Sequence, residues 1–359
     1  MARIHNFSAG PAVLPESVLL EAREALWEYG AVGMGIMEFS HRSKAYEALI
    51  ASARGRLRRL LRVGDDHEIL FLSGGASSQF FMAPMNFLLG GRAAYLETGH
   101  WAEKAVAEAR RFGSVDTVWS SRASGFDHVP RPGSWPSLAA ETRYLHYTSN
   151  NTIYGTQFDH VPDSGSAWLF CDASSDILSR PIEGSKFDLL YAGAQKNLGP
   201  SGVTVVALRK ARLADADPNL PTMLRYGVHA ENGSMYNTPN TWGIYLLERV
   251  CAWIEERGLD QVAADNARRA GQLYARIDAT GFWRGTCRRD SRSMMNVTFT
   301  TGNAELDTQF YQEAERSGMS GLKGHRAVGG LRASLYNAQT DAAVAALVSF
   351  MEAFEARHG

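Results

Sequence analysis

Cysteine is scarce in this chain. Only Cys171, Cys251 and Cys287 occur in 359 residues, an odd number without C-x-x-C or Cys/His spacing, which argues against a disulfide scaffold and against a zinc site. Excess charge of either sign is missing too. Thirty-seven Lys and Arg meet 38 Asp and Glu, a formal net charge of -1, so no polyelectrolyte partner is advertised and nucleic acid is not an expected ligand. No window approaches the roughly 20 apolar residues of a membrane span. The opening "MARIHNFSAGPAVLP" lacks the apolar centre of a signal peptide. A cytoplasmic protein that holds no metal is expected. Repeats, low-complexity tracts, the G-x-G-x-x-G dinucleotide pattern and the Walker lysine pattern are also absent, so neither NAD nor ATP is read from the sequence.

What is present alternates. "EILFLSGGASSQFFMAPMNFL" and "AAYLETGHWAEKAVAEARRF" each read strand, turn, helix, and "DTVWSS", "TRYLHYTSNNTIYG", "AWLFCDASS", "FDLLYAGAQK" and "GVTVVALRK" supply further short strands. Strands interleaved with helices predict an α/β fold with a mostly parallel sheet covered on both faces. A long helix is expected over "NTWGIYLLERVCAWIEERG", with Gly258 at its C-cap and a hinge between domains nearby. Beyond it, helix, strand, helix, strand and a closing helix that begins near Asp341 form a smaller α+β unit.

Four stretches carry chemistry. "YAGAQKNLGPSG" puts Lys196 between an apolar run and a glycine turn; a lysine in a dry pocket deprotonates readily, and its neutral amine attacks aldehydes. "AWLFCDASS" ends with Asp172 at the same sheet edge, where a carboxylate pairs with a protonated pyridine nitrogen. "LSGGASSQF" opens backbone amides around Gly74, Gly75 and Ala76, with Ser77 and Ser78 hydroxyls, to an anion at a helix start. In "TGHWAEK", Trp101 offers an indole face to a flat ring. Each also has an ordinary reading: a solvated lysine, an Asx turn at Asp172, a packed tryptophan, a plain glycine turn. Together they specify a ligand with an aldehyde, a pyridine nitrogen, a phosphate and a ring face.

With these residues in view, the chain resembles the phosphoserine aminotransferases, class V aminotransferases of the fold-type-I pyridoxal phosphate architecture. The resemblance runs nearly end to end, through "FSAGPAVLP", "MEFSHRS", "GGASSQF", "TGHWAEKA", "YTSNNTIYG", "CDASSDILSRPI", "YAGAQKNLGPSG", "NGSMYNTPNTW" and "KGHRAVGGLRASLYNA". It implies an N-terminal segment 1–15 packed near the site, a large cofactor-binding domain 16–257 around a seven-stranded, mostly parallel sheet, and a small C-terminal domain 258–359. It implies that Lys196 forms the Schiff base with pyridoxal 5'-phosphate, Asp172 pairs with the ring nitrogen, Trp101 stacks on the ring and Thr152 bonds its hydroxyl. Ala76, Ser77 and Gln195 would hold the phosphate, with Asn237 and Thr238 reaching it from the other subunit of a homodimer. The residues alone read "NTPNT" as a helix-capping loop.

The implied substrates, glutamate with 2-oxoglutarate and phosphoserine with 3-phosphohydroxypyruvate, are dianionic or more and call for cations. The resemblance gives Arg332 the substrate carboxylate and gives His41, Arg42, His325 and Arg326 the distal phosphate or carboxylate, partly across the dimer. Many members carry arginine where this chain has Ser77, others serine. Ala9, in a position polar in some members, is assigned no role. Serine biosynthesis is the implied pathway, with the phosphorylated hydroxythreonine step of pyridoxine biosynthesis as a second. The alternatives are a class V transaminase of unphosphorylated amino acids, a cysteine desulfurase, a cofactor-binding regulator and a dehydrogenase. For a desulfurase only Cys287, in "RGTCRRD", reads as exposed.

Overall fold

The computed structural model describes residues 3–359. A seven-stranded sheet runs in the order His67–Ser73, Val203–Arg209, Leu189–Gly193, Trp168–Asp172, Thr142–Thr148, Arg92–Glu97, Ser114–Ser120. Val203–Arg209 is antiparallel to both neighbours and every other pairing is parallel. The central strands of the sheet are nearly continuous apolar runs because both faces are covered. Helices Lys44–Leu60 and Thr241–Arg257 pack on one face and Gln79–Phe87 and His100–Ala109 on the other. Sequence chemistry sets the helix ends. Ser43 Oγ accepts the Tyr46 amide, Asn240 Oδ1 accepts the Gly243 amide, and Gly258 at φ +81° ends the long helix.

A second core lies in the C-terminal region. The three-stranded sheet of Arg284–Gly285, Asn296–Thr300 and Leu331–Ser334 packs with helices Leu259–Asp278, Ala304–Arg316 and Asp341–His358 around Trp283, Phe299, Phe310 and Phe354. Leu259–Asp278 joins the two cores: Val262 packs in the large one, Leu273 and Ile277 in the small one. We propose residue 258 as the working division between them, with this helix as the bridge.

The N-terminal segment belongs to the small unit by packing. His5–Asn6 pairs in parallel with Met319–Ser320, and Phe7 is fully buried in the small core. Residues 1 and 2 of the expected segment lie outside the described residues. Further along, the Ala12 amide donates to the Gln195 carbonyl at 3.0 Å, which brings the segment against the lysine turn. No helix among the described residues is long and apolar enough to cross a membrane.

Candidate active site

Parallel strands end at one edge, and that edge is where an open α/β sheet binds ligands. Asp172 closes one central strand, and Lys196 follows its neighbour Leu189–Gly193 by three residues. Gly74, at φ +101°, follows the outer strand His67–Ser73 and starts the turn that leads into helix Gln79–Phe87. A left-handed residue there favours glycine, and the first amides of the turn, those of Ala76 and Ser77, have no acceptor within the helical turn. A cavity of about 320 Å³ opens over this edge, within the range of roughly 300–1,000 Å³ usual for small-molecule sites. Ala76, Ser77, Trp101, Thr152, Asp172, Gln195, Lys196, His325 and Arg332 all line it, and so do Ala9 and Gly10.

Lys196 Nζ donates to Thr152 Oγ1 at 2.8 Å. Burial lowers its pKa to about 8, opposed by the attraction of Asp172 and Asp176 and reinforced by repulsion from Arg332. That shift matters for an amine nucleophile: about a tenth of the side chain is neutral at pH 7, against roughly one part in three thousand at the ordinary value of 10.5. A lysine with a depressed pKa gains reactive form as pH rises through the folded value. Covalent capture of an aldehyde by the cofactor-free protein is therefore expected to accelerate about tenfold per unit below pH 8 and to level off above it. Stopped-flow absorbance across pH 6–10 checks this, and a rate still climbing tenfold per unit to pH 10 would contradict it.

Asp172 is buried. Desolvation pushes its carboxyl up, while hydrogen bonds from the Ser174 hydroxyl and amide and the charge of Lys196 pull it back. It makes the Asx-type bond to the Ser174 amide at 3.0 Å and also faces the cavity, so the turn reading and the functional reading hold together. Arg332 stands opposite. Its Nη1 donates to the Thr152 carbonyl at 3.2 Å, its Nε is buried without an acceptor, and it forms no ion pair among the described residues. Trp101 Nε1 is likewise buried and unpartnered. His325 lies 6.2 Å from the His100 ring, and burial first, then the charge of Arg332, lowers its pKa.

The single chain does not bring every expected residue to the cavity. Asn237, Thr238, Arg42 and Arg326 are exposed, and His41 is half-buried; none of the five lines it. In this chain the "NTPNT" loop caps a helix through Asn240. Sequence reasoning also missed two contributors. The Ala9 carbonyl accepts from Tyr336 Oη at 2.8 Å, and a Cβ on Gly10 (φ +130°) would come within 3.3 Å of Lys196 Cγ, so a glycine lets the N-terminal segment close one wall. A backbone carbonyl and a missing side chain leave no polar signal in a sequence.

One expectation is corrected. Cys287 is buried, with Sγ donating to the Gly155 carbonyl at 3.2 Å, and burial pushes its pKa up to about 11. Backbone alternation is the reason: Arg288 turns outward to Asp127 while Cys287 turns inward. Cys171 and Cys251 are buried too, their pKa values raised by desolvation. None of the three is an accessible thiolate of the kind a desulfurase needs.

Fold and cavity define a class V aminotransferase, and the family model for aminotransferase class V matches residues 4–347. The phosphoserine aminotransferase of Herpetosiphon aurantiacus is 48% identical over 359 residues, covering 99% of each chain. That of Niallia circulans is 49% identical over 360 residues at the same coverage. Among solved structures, phosphoserine aminotransferase from Bacillus circulans subsp. alkalophilus has a TM-score of 0.97 at 49% identity, covering 99% of each chain. The pyridoxal-phosphate-bound enzyme of Trichomonas vaginalis has a TM-score of 0.92 at 37% identity, covering 98% of this chain and all of that one. The chain belongs to the phosphoserine aminotransferases.

Proposed function

We propose that the protein transfers the amino group between glutamate and 3-phosphohydroxypyruvate, giving 2-oxoglutarate and phosphoserine, with pyridoxal 5'-phosphate as cofactor. The observation that carries this reading is one cavity holding a depressed-pKa amine, a buried carboxylate and an arginine without a carboxylate partner: Lys196, Asp172 and Arg332. The residues fit the cofactor, since Trp101 Nε1 is buried without an acceptor and the Ala76 and Ser77 amides are free to meet an anion. When bound, pyridoxal phosphate supplies an aldehyde carbon for amine exchange and a ring that takes up the electron pair left at the substrate Cα.

The chain's own groups do the rest. Lys196 Nζ would take the proton from the substrate Cα and, as the resulting ammonium, return that same proton to the carbon that supplied the aldehyde, so the amine would end as it began. Asp172 keeps the ring nitrogen protonated, Trp101 covers the ring face, and Thr152, which already accepts from Nζ, bonds the ring hydroxyl. Ala76, Ser77 and Gln195 hold the phosphate. Arg332 takes the substrate carboxylate in its planar fork. With serine at position 77, the substrate's distal anion falls to His41, Arg42, His325 and Arg326.

A homodimer completes the site in this reading, with Asn237 and Thr238 serving the partner's cofactor phosphate. Exposed apolar side chains support it: Met34 and Met37 precede His41 and Arg42, and Tyr236 precedes Asn237. In this reading the reaction serves serine biosynthesis in the cytoplasm. The phosphorylated hydroxythreonine intermediate of pyridoxine biosynthesis presents the same anionic groups and is proposed as a second substrate.

The visible spectrum tests the reading. Purified protein with pyridoxal phosphate is expected to be yellow, to bleach with glutamate and to recover with 3-phosphohydroxypyruvate, while alanine and pyruvate act weakly. A protein that stays colourless would overturn the cofactor, and one that answers only alanine and pyruvate would make it a transaminase of unphosphorylated substrates.

A further inference from the structure

The two oxygens of Asp172 are not equivalent. Oδ1 accepts both the Ser174 amide at 3.0 Å and the Ser174 hydroxyl at 2.6 Å. The hydroxyl oxygen in turn accepts the Gly193 amide at 3.2 Å. Because a backbone N–H can only donate, Ser174 Oγ gives that amide a lone pair and points its single proton at the carboxylate. The direction of the chain Gly193 to Ser174 to Asp172 is thus fixed by covalent structure. Gly193 ends the strand that leads into Lys196, while Asp172 ends the adjacent strand, where it is the register partner of Tyr191. One buried hydroxyl therefore ties the lysine strand to the aspartate side chain.

Both Oδ1 contacts come from Ser174, which lines the cavity beside Asp172. With Oδ1 engaged twice, Oδ2 has no donor among the described residues and is the oxygen left for a ligand. Desolvation pushes the Asp172 carboxyl up, and the Ser174 bonds are the largest of the opposing contributions. Hydrogen bonds to the charged form favour ionisation, so the same serine that aims the carboxylate also opposes the upward push of desolvation.

We propose that Ser174 is a positioning residue of the site, holding Asp172 by Oδ1 so that Oδ2 meets the protonated ring nitrogen of the cofactor. This rests on the aminotransferase reading above. Ser174 touches neither substrate nor reacting atoms in this role; it acts through Asp172.

The test compares wild-type, Ser174→Ala and Ser174→Thr holoenzymes, reading the cofactor's visible absorbance against pH together with kcat and KM for glutamate. Wild-type protein that takes up no pyridoxal phosphate would overturn the underlying reading, and the proposal with it. Given a yellow, glutamate-responsive wild type, Ser174→Ala is expected to bind cofactor but to lose about 10- to 100-fold in kcat, the usual range for a residue that orients a site ligand. Its KM should move less than about threefold, since the lost interaction belongs to the transition state. The pH midpoint of the visible band is expected to shift in Ser174→Ala, and Ser174→Thr, which keeps the hydroxyl, to restore both kcat and midpoint. A kcat within about twofold of wild type with an unmoved midpoint in Ser174→Ala would overturn the proposal. Equal impairment of the alanine and threonine variants would do so too, by assigning the serine to packing alone. Should the alanine variant fail to fold, Ser174→Cys, similar in shape and a weaker donor, takes its place under the same criteria.

Discussion

Lys196→Ala is expected to keep the fold and lose transamination by at least about ten-thousandfold, the upper range for removal of a positioned acid-base group. The side chain has two tasks in the proposed reaction. It carries the covalent link to the cofactor in the resting enzyme, and its freed amine moves the Cα proton. Among the described residues no other lysine lines the cavity, and the remaining strong base there, Arg332, stays charged and cannot serve as a proton acceptor. The variant should still take up cofactor through the phosphate turn and Asp172, but the pH-dependent yellow band of the linked form should be missing. Single-turnover absorbance with glutamate measures the half-reaction directly. Activity above about one per cent of wild type would refute the assignment, because a lost covalent and proton-transfer group cannot leave so small a barrier change.

Asp172→Asn is expected to cost on the order of a thousandfold in kcat/KM, about 4 kcal/mol of transition-state stabilisation. Asparagine keeps the size of the side chain and an oxygen for the Ser174 donors, so the fold and the turn should survive. What disappears is the charge that, in the proposed reaction, would hold the ring nitrogen protonated, without which the ring is a poor acceptor for the Cα electron pair. Both half-reactions should slow together, since the same charge serves each. Steady-state kinetics with glutamate and with the phosphorylated keto acid checks this. A loss below tenfold, or a loss confined to one substrate pair, would count against the carboxylate's role.

The residues proposed to do the chemistry were legible because each leaves a local signature. Lys196 follows an apolar run, Asp172 closes another, and the Gly74–Ser78 turn sits between a strand and a helix. Their meeting at one sheet edge was an inference from parallel topology, and the strand pairing bears that topology out. Cys287 misled because flanking arginines suggest exposure, while backbone alternation in a strand-like segment sends every second side chain inward. Ala9 and Gly10 went unread because they act through a carbonyl and through the lack of a side chain.

By itself, the sequence determined the alternation of strands and helices, the buried character of the central strands, and the identity of the amine and the carboxylate that share the cavity, while Arg332 was singled out only by the family resemblance. Those properties follow from hydrophobic period, turn chemistry and side-chain type, all of which are local. Only the tertiary structure decided that an amine 24 positions beyond a carboxylate lies close enough to feel its charge, that Arg332 has no carboxylate partner among the described residues, and that Ala9 and Gly10 close one wall of the cavity against Tyr336 and Lys196. Distances between strands, desolvation and the pairing of distant polar groups depend on how the whole chain packs. A pKa of about 8 at Lys196 is therefore a property of the folded protein, set by burial that no stretch of a dozen residues encodes.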